Sequence, residues 1–330
     1  MATVVQQTAA ISERVEALGQ KVAAVSIRAD EQSGELKQIA ATMSRIQRSV
    51  THLQQSLNRQ NEAVNLAFKR IIPPDGSQWD RGMKYREGLR AVGVLNYENS
   101  DISGESRFLN RFFGEFPRAL VIDVGANSGQ FCELARGIGA DATIHSLEPH
   151  PVSFATLKDV AGRFDVTAHQ LALGDRDGEI EIFDYEDEQG SQHASLYREV
   201  IEGVHHRKAA PTMVRCLTLD NFAAAQGLNH IGLLKIDTEG HELAVLRGAK
   251  ALLEAGKVDV IQFEFNEMNV IARVFMKDFF EMLPNYRIFR LLPDSVLEFA
   301  TYDPTFMEVF AYQNIVCVRR DIDTNWLQSQ

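Results

Sequence analysis

Through its first seventy residues the chain repeats apolar positions at alternating spacings of four and three. The series runs Val4, Ile11, Val15, Leu18, Val22, Val25, Ala29, Leu36, Ile39, Met43, Ile46, Val50, Leu53, Leu57, Val64, Ala67 and Ile71. Only Thr8, Gln32 and Gln60 interrupt it, so about nine heptads share one register, far beyond what a surface helix needs. The pattern predicts a coiled coil over residues 1–72, at ~1.5 Å per residue a rod on the order of 100 Å long. Mixed a positions, with Ile11, Ile39 and Ile46 at d, work against a simple parallel dimer. The expected assembly with copies of itself is therefore a trimer, with dimer and tetramer left open. Gly19 and Gly34 cost the helix about 1 kcal/mol each relative to Ala.

At "IIPPDGS" two prolines and a glycine end the helix and mark a boundary. Residues 73–117 read as a helical lead-in, with helices in "WDRGMKYREGLRAVGVL" and "ESRFLNRFFGEF". From residue 118 to 330 the period changes. Short apolar runs ("ALVIDV", "ATIHSL", "VTAHQLAL", "EIEIFDY", "MVRCLTL", "IGLLKID", "VDVIQFEF", "YRIFRLL", "NIVCVRR") alternate with amphipathic stretches such as "GQFCELARGIG", "PVSFATLKDVAGR", "HELAVLRGAKALLEAG" and "FMKDFFEML". Strands alternating with helices predict an α/β domain with a doubly wound, mostly parallel, Rossmann-like sheet, which binds ligands where its strands end.

Charge narrows the choice. The net charge is −11, and residues 1–70 hold nine Lys/Arg against six Asp/Glu, +3, which leaves −14 for the rest. A domain that acidic is a poor nucleic-acid binder, because phosphate contacts need a basic face. No apolar run reaches the ~18 residues of a membrane span, and the start "MATVVQQTAA" lacks a secretion signal, so a cytoplasmic protein is expected. Cys132, Cys216 and Cys317 are too few and too scattered for a disulfide framework or metal knuckle.

The stretch "VIDVGANSGQF" carries the first chemistry: Asp123 ends a strand, Gly125 and Gly129 free the backbone to approach a ligand, and Asn127 and Ser128 are placed to cap a helix beginning near Gln130. The G-x-G-x-x-G spacing of dinucleotide sites is absent, and Asp123 would repel a pyrophosphate but hold an ammonium. Glu148, in "HSLEPHP", ends the next strand, where a carboxylate accepts both hydroxyls of a ribose. Asp237, Glu239, His241 and Glu242 crowd the end of the later strand "GLLKIDTEGHE". Together these favour S-adenosylmethionine over NAD.

The blocks "NYENSDISGE", "DVGANSG", "LEP", "LALGDRDG", "SL", "LTLDNF" and "LKIDTEGHELAVLRGA" follow one another between about residues 90 and 320. In content and order they resemble the FkbM family of S-adenosylmethionine-dependent methyltransferases, on the class I methyltransferase fold; the heptads are not part of that pattern. The resemblance implies S-adenosyl-L-methionine as cofactor. It places Asp123, Gly125, Ala126, Asn127 and Gly129 at the methionine end, Glu148 and Pro149 at the ribose, and Ala172 and Leu173 at the adenine, with Asp237 facing the amino acid moiety or the acceptor. It also implies O-methylation of a saccharide, glycolipid or related small molecule.

Removing a hydroxyl proton calls for a base near the methyl group. Asp237, His241, Glu239 and Glu264 are the candidates, Asp237 and His241 foremost, since an unperturbed imidazole titrates near ~6.5. A metal on Asp237, Glu239 and Glu264 would be an alternative, but no ligand spacing demands one, and the three carboxylates equally fit a network of caps and ion pairs. The polar insertion Tyr185 to Thr212 has the length of a lid, and its His193, Ser195, His205 and His206 are candidates to reach the acceptor. Two competing readings stay open: a scaffold whose globular part binds S-adenosylmethionine without turnover, and a dehydrogenase, which the glycine spacing disfavours. By analogy, a rod carrying catalytic domains could measure or terminate a growing surface polysaccharide.

Overall fold

In a computed structural model, residues 81–138, 141–187, 190–191, 195–204 and 206–328 are described. The heptads and their expected trimer lie outside the described residues, as do His193 and His205. Two helices lead in, α1 (Arg81–Ala91) and α2 (Glu105–Glu115). The alternating part follows: β1 (Leu120–Val124), α3 (Gln130–Gly137), β2 (Thr143–Leu147), α4 (Pro151–Phe164), β3 (Thr167–His169), β4 (Ala172–Leu173), β5 (Gly178–Tyr185), β6 (Ala209–Leu217), α5 (Leu219–Gln226) and β7 (Ile231–Ile236). The chain continues through α6 (Glu242–Arg247), α7 (Lys250–Glu254), β8 (Val258–Phe265), α8 (Met268–Ala272), α9 (Met276–Met282), β9 (Tyr286–Leu291), β10 (Val296–Phe299), α10 (Pro304–Met307), β11 (Gln313–Arg319) and α11 (Asn325–Gln328).

Eight strands form one sheet in the order β10-β9-β11-β8-β7-β1-β2-β3. The pairs β1–β2, β2–β3, β1–β7 and β7–β8 are parallel, while β11 lies antiparallel between β8 and β9. The strand order reverses between β1 and β7, which is where an open α/β sheet leaves a ligand crevice. Alternate residues of the central strands face opposite layers: Ile122, Leu234, Ile261 and Cys317 pack with α5, α6 and α9, and Val121, Leu233, Val260 and Val316 pack with α2 and α3. Burial on both faces explains why these strands read as unbroken apolar runs.

The structure departs from the sequence pattern in three places. "VTAHQLAL" is two strands in two sheets, because β4 leaves β3 and pairs with β6 in a separate three-stranded sheet, β4-β6-β5. "HELAVLRGAKALLEAG" is two helices: the Gly248 carbonyl accepts from Asp220 N (2.9 Å), and the Asp220 carboxylate caps the second helix at Ala251 N (2.8 Å) and Leu252 N (3.0 Å). The lead-in helix α2 buries Phe108, Leu109, Phe112 and Phe113 against the sheet, within the same compact unit, residues 82–330.

Candidate active site

A cavity of 790 Å³ opens at the carboxyl end of the sheet, over the strand-order reversal. The strand order lays its rim out in sequence. Glu148 and Pro149 follow β2, Gly125 to Asn127 follow β1, Asp237 to Glu239 follow β7, Glu264 to Met268 end and follow β8, and Tyr312 precedes β11. With ~4.8 Å between neighbouring strands, the β2 and β8 ends stand about 14 Å apart.

The turn after β1 is drawn tight against β7. Asp237 N donates to the Val124 carbonyl (2.9 Å), and Gly125, at φ +79°, sits where a Cβ would lie 1.7 Å from the Asp237 carbonyl oxygen. Only glycine fits there. Glu148 is buried, and its two oxygens accept from Asn127 N (2.9 Å) and His150 N (2.7 Å), which fixes the carboxylate and leaves further lone pairs for a ligand diol. Burial raises its pKa to about 7 against those two hydrogen bonds. Ala172 and Leu173, brought in by the small sheet, form an apolar wall next to Leu171 and Pro149.

At the floor, Lys235 Nζ lies 3.1 Å from Asp237 Oδ2 and 3.8 Å from Asp123 Oδ1, and 5.7 Å from the centre of the Phe131 ring. Asp123 is fully buried and also accepts from Ser146 Oγ (3.2 Å); burial outweighs the neighbouring ammonium and raises its pKa to about 6. Burial works against the charge on Lys235, but the attraction of Asp237, then Asp123, Glu105 and Glu264, outweighs it and keeps the ammonium protonated. Burial, then repulsion from Asp237 and Glu239, pushes the Glu264 carboxyl well above its ordinary range.

Of the residues expected from the sequence, Gly125, Ala126, Asn127, Glu148, Pro149, Ala172, Leu173, Asp237, Glu239, His241 and Glu264 line this one cavity. Asp123 and Gly129 are not among the residues lining the cavity: Asp123 is buried with Lys235 beside it, and Gly129 is the N-cap of α3, where a Cβ would meet Val160 Cγ1 at 2.8 Å. Asn127 does not cap α3: its Nδ2 donates to the Ser191 carbonyl (2.9 Å) and its Oδ1 accepts from Ser128 N (2.7 Å). Burial lowers the His241 pKa to about 4, so this imidazole is a much weaker base than its unperturbed value implies.

The insertion is anchored over the cavity. The Asp184 carboxylate accepts from the backbone of Tyr185, Gly190 and Ser191 and from the Ser191 hydroxyl, while Ser195 Oγ donates to the Glu239 carbonyl (2.9 Å). Ser191 and Leu196 reach the cavity; His206 does not. Sequence reasoning passed over Lys235, although a lysine inside the apolar run "IGLLKI" was a visible signal, and passed over Tyr97, Glu105, Glu267 and Tyr312, whose convergence is tertiary. Among the described residues, no group of three or more His, Cys, Asp or Glu side chains is arranged to hold a metal ion, and no helix is long and apolar enough to cross a membrane.

The strand order, the glycine turn at the reversal and the buried acid that follows β2 are those of a class I methyltransferase fold. The sequence profile described as Methyltransferase FkbM domain matches residues 123–287, half of the chain, and the protein belongs to that family of methyltransferases. It is similar to "2-O-methyltransferase NoeI" of Sinorhizobium fredii, 22% identical over 191 residues, covering 55% of this chain and 78% of that one. It is also similar to "31-O-demethyl-FK506 methyltransferase FkbM" of Streptomyces tacrolimicus, 31% identical over 161 residues, covering 41% of this chain and 60% of that one. Among solved structures, the S-adenosylhomocysteine-bound methyltransferase PaMTH1 of Podospora anserina aligns over 80% of this chain and 96% of its own, at 10% identity and a TM-score of 0.38. That score is too low to add to the topology.

The residues present suit the cofactor that the family uses. Glu148 offers a fixed diol acceptor, the turn at Gly125 to Asn127 lines the cavity with backbone, and the acidic lining suits a cationic sulfonium.

Proposed function

We propose that this protein is an O-methyltransferase that moves the methyl group of S-adenosylmethionine to a hydroxyl oxygen of a saccharide, glycolipid or related small molecule. One observation carries the reading: the Lys235-bound carboxylate of Asp237 stands at the β7 end, between the diol-binding Glu148 on one side and the open β8 end on the other.

The bound cofactor supplies an electrophilic sulfonium methyl. The chain's own residues align the acceptor and take its proton, while the oxygen–carbon bond forms and the sulfur–carbon bond breaks. Glu148 and the turn at Gly125 to Asn127 hold one reactant in place. Asp237, oriented by the Lys235 ammonium, receives the acceptor proton; Glu264, whose carboxyl burial pushes toward the protonated form, can take it only when ionised. His241, neutral across the physiological range, packs the wall. The names of the two relatives, both oxygen-directed, support the choice of acceptor atom.

The heptads are included in the proposal as the element that joins copies of the chain; removing residues 1–72 should leave a monomer by light scattering. Calorimetric titration with S-adenosylhomocysteine and with NAD tests the cofactor assignment. Binding of the first alone is expected; binding of NAD alone, or of neither, would sink it.

A further inference from the structure

The half of the cavity over β8 and β11 is chemically unlike the half over β1 and β2. Tyr97 stands at its edge with 60% of its surface open, its ring perpendicular to that of Tyr312 at 6.2 Å between centres. Glu264, Asn266 and Glu267 come up from the end of β8, and Glu105 rises from the start of α2. Glu105 is held from below, accepting from Gln262 Nε2 (2.8 Å), and Tyr312 is held by Asn314 Nδ2 (3.0 Å). This end is therefore a set surface with an aromatic plate and fixed oxygen acceptors.

Its charge is one-sided. Among the described residues lining the whole cavity, six side chains carry a carboxyl group (Glu105, Glu148, Asp237, Glu239, Glu264 and Glu267), against one lysine, Lys235, and one histidine, His241, which burial keeps neutral. The lysine ammonium is already engaged by Asp123 and Asp237 and cannot serve an anionic acceptor without giving them up. Burial favours the protonated form of Glu148 and Glu264, so the exclusion of anions rests on the other four carboxylates.

We propose that the space between Tyr97, Tyr312 and the β8 end is the acceptor subsite, that it takes an uncharged or amino-bearing sugar ring laid against Tyr97, and that it refuses a ring carrying phosphate or carboxylate. The apolar face of a pyranose suits an open tyrosine ring, and its hydroxyls donate to Glu264, Glu267 and Asn266. A ring seated there presents an edge hydroxyl to Asp237, one strand over. An amino group gains from the same carboxylates that exclude a uronate. The inference rests on the O-methyltransferase reading and adds to it a place and a charge rule.

The test is saturation-transfer NMR on the full chain saturated with S-adenosylhomocysteine, using methyl glucoside, methyl glucosaminide and methyl glucuronide as probes. The first two should receive saturation, the glucosaminide most strongly, and the glucuronide none. Tyr97→Ala should weaken the neutral probe on the order of tenfold and Tyr97→Phe should not, with affinity for S-adenosylhomocysteine unchanged in both. Glu267→Lys should admit the glucuronide. Uronide binding as good as that of the neutral probe, indifference to Tyr97→Ala, or no saturation of any probe would overturn the subsite while leaving the cofactor reading intact. If S-adenosylhomocysteine itself fails to bind, both fall together.

Discussion

Lys235 and Asp123 are register partners across β1 and β7, and the lysine ammonium stands 3.8 Å from the aspartate carboxylate. Both are buried, and the ion pair lies at the ends of the two strands where the sheet changes direction. Lys235→Met leaves Asp123 without its counter-ion, and removing one partner of a buried pair costs about 3–5 kcal/mol. The sign with pH follows from the raised pKa of Asp123. A carboxyl whose folded pKa lies above its unfolded value lends stability at low pH that is lost as pH rises through the folded pKa, here about 6. Without Lys235 that pKa climbs further, so the variant's deficit in denaturant melts should be larger at about pH 8 than at about pH 5. Equal deficits at both would contradict this, and Lys235→Met with Asp123→Asn should recover part of the loss.

Glu148 makes cofactor binding pH-dependent. Burial places its pKa at about 7, and only the ionised form keeps both oxygens free to accept from a diol. Affinity for S-adenosylhomocysteine should rise with pH toward about 7 and level off above it, falling by up to tenfold per pH unit below. Calorimetry across that range checks it. Glu148→Gln should bind weakly and show no such slope.

Asp184 ties the insertion down through four hydrogen bonds, and the insertion in turn holds Asn127 through the Ser191 carbonyl. Asp184→Ala strands buried donors at about 1–3 kcal/mol each, part of which water recovers at Gly190 and Ser191. The variant should melt earlier. It should also bind S-adenosylhomocysteine more weakly, although Asp184 is not among the residues lining the cavity. A lower melting temperature with unaltered affinity would show that the insertion does not support the turn.

His241 should remain neutral down to about pH 4, because burial disfavours the imidazolium. Its ring proton resonances in a pH titration report this directly. A midpoint near ~6.5 would restore it as a base of ordinary strength.

Gly125→Ala should prevent the β1 turn from seating against β7. The methyl group would lie 1.7 Å from the Asp237 carbonyl oxygen, and the φ of +79° adds about 1–3 kcal/mol of strain for any other residue. Hydrogen exchange of the Asp237 amide, now donated to Val124, should accelerate in the variant if it folds at all.

Much of the site was legible because its parts are local. A strand end followed by a glycine turn, as at Asp123 to Gly129, announces itself in a few consecutive residues, and so does the acid ending β2 at Glu148. β8 read correctly from Val258 to Phe265 because a strand buried on both faces is continuously apolar. Other features depend on contacts that no window contains. Asp123 shares its block with residues that line the cavity, yet its side chain is buried beside Lys235, more than a hundred residues later. The division of "VTAHQLAL" between two sheets follows from pairing with β6, and the break at Gly248 from a cap supplied by Asp220.

By itself the sequence determined the alternation of strands and helices, the family and the residues of the turn, since each is written in short-range period and residue type. The tertiary structure decided which carboxylates meet, which of them are buried, and how burial moves their proton affinities. Those are properties of distance and dielectric: Lys235, Asp237, Glu264 and Tyr312 acquire a common chemistry only when strands distant in the chain are laid side by side in one sheet.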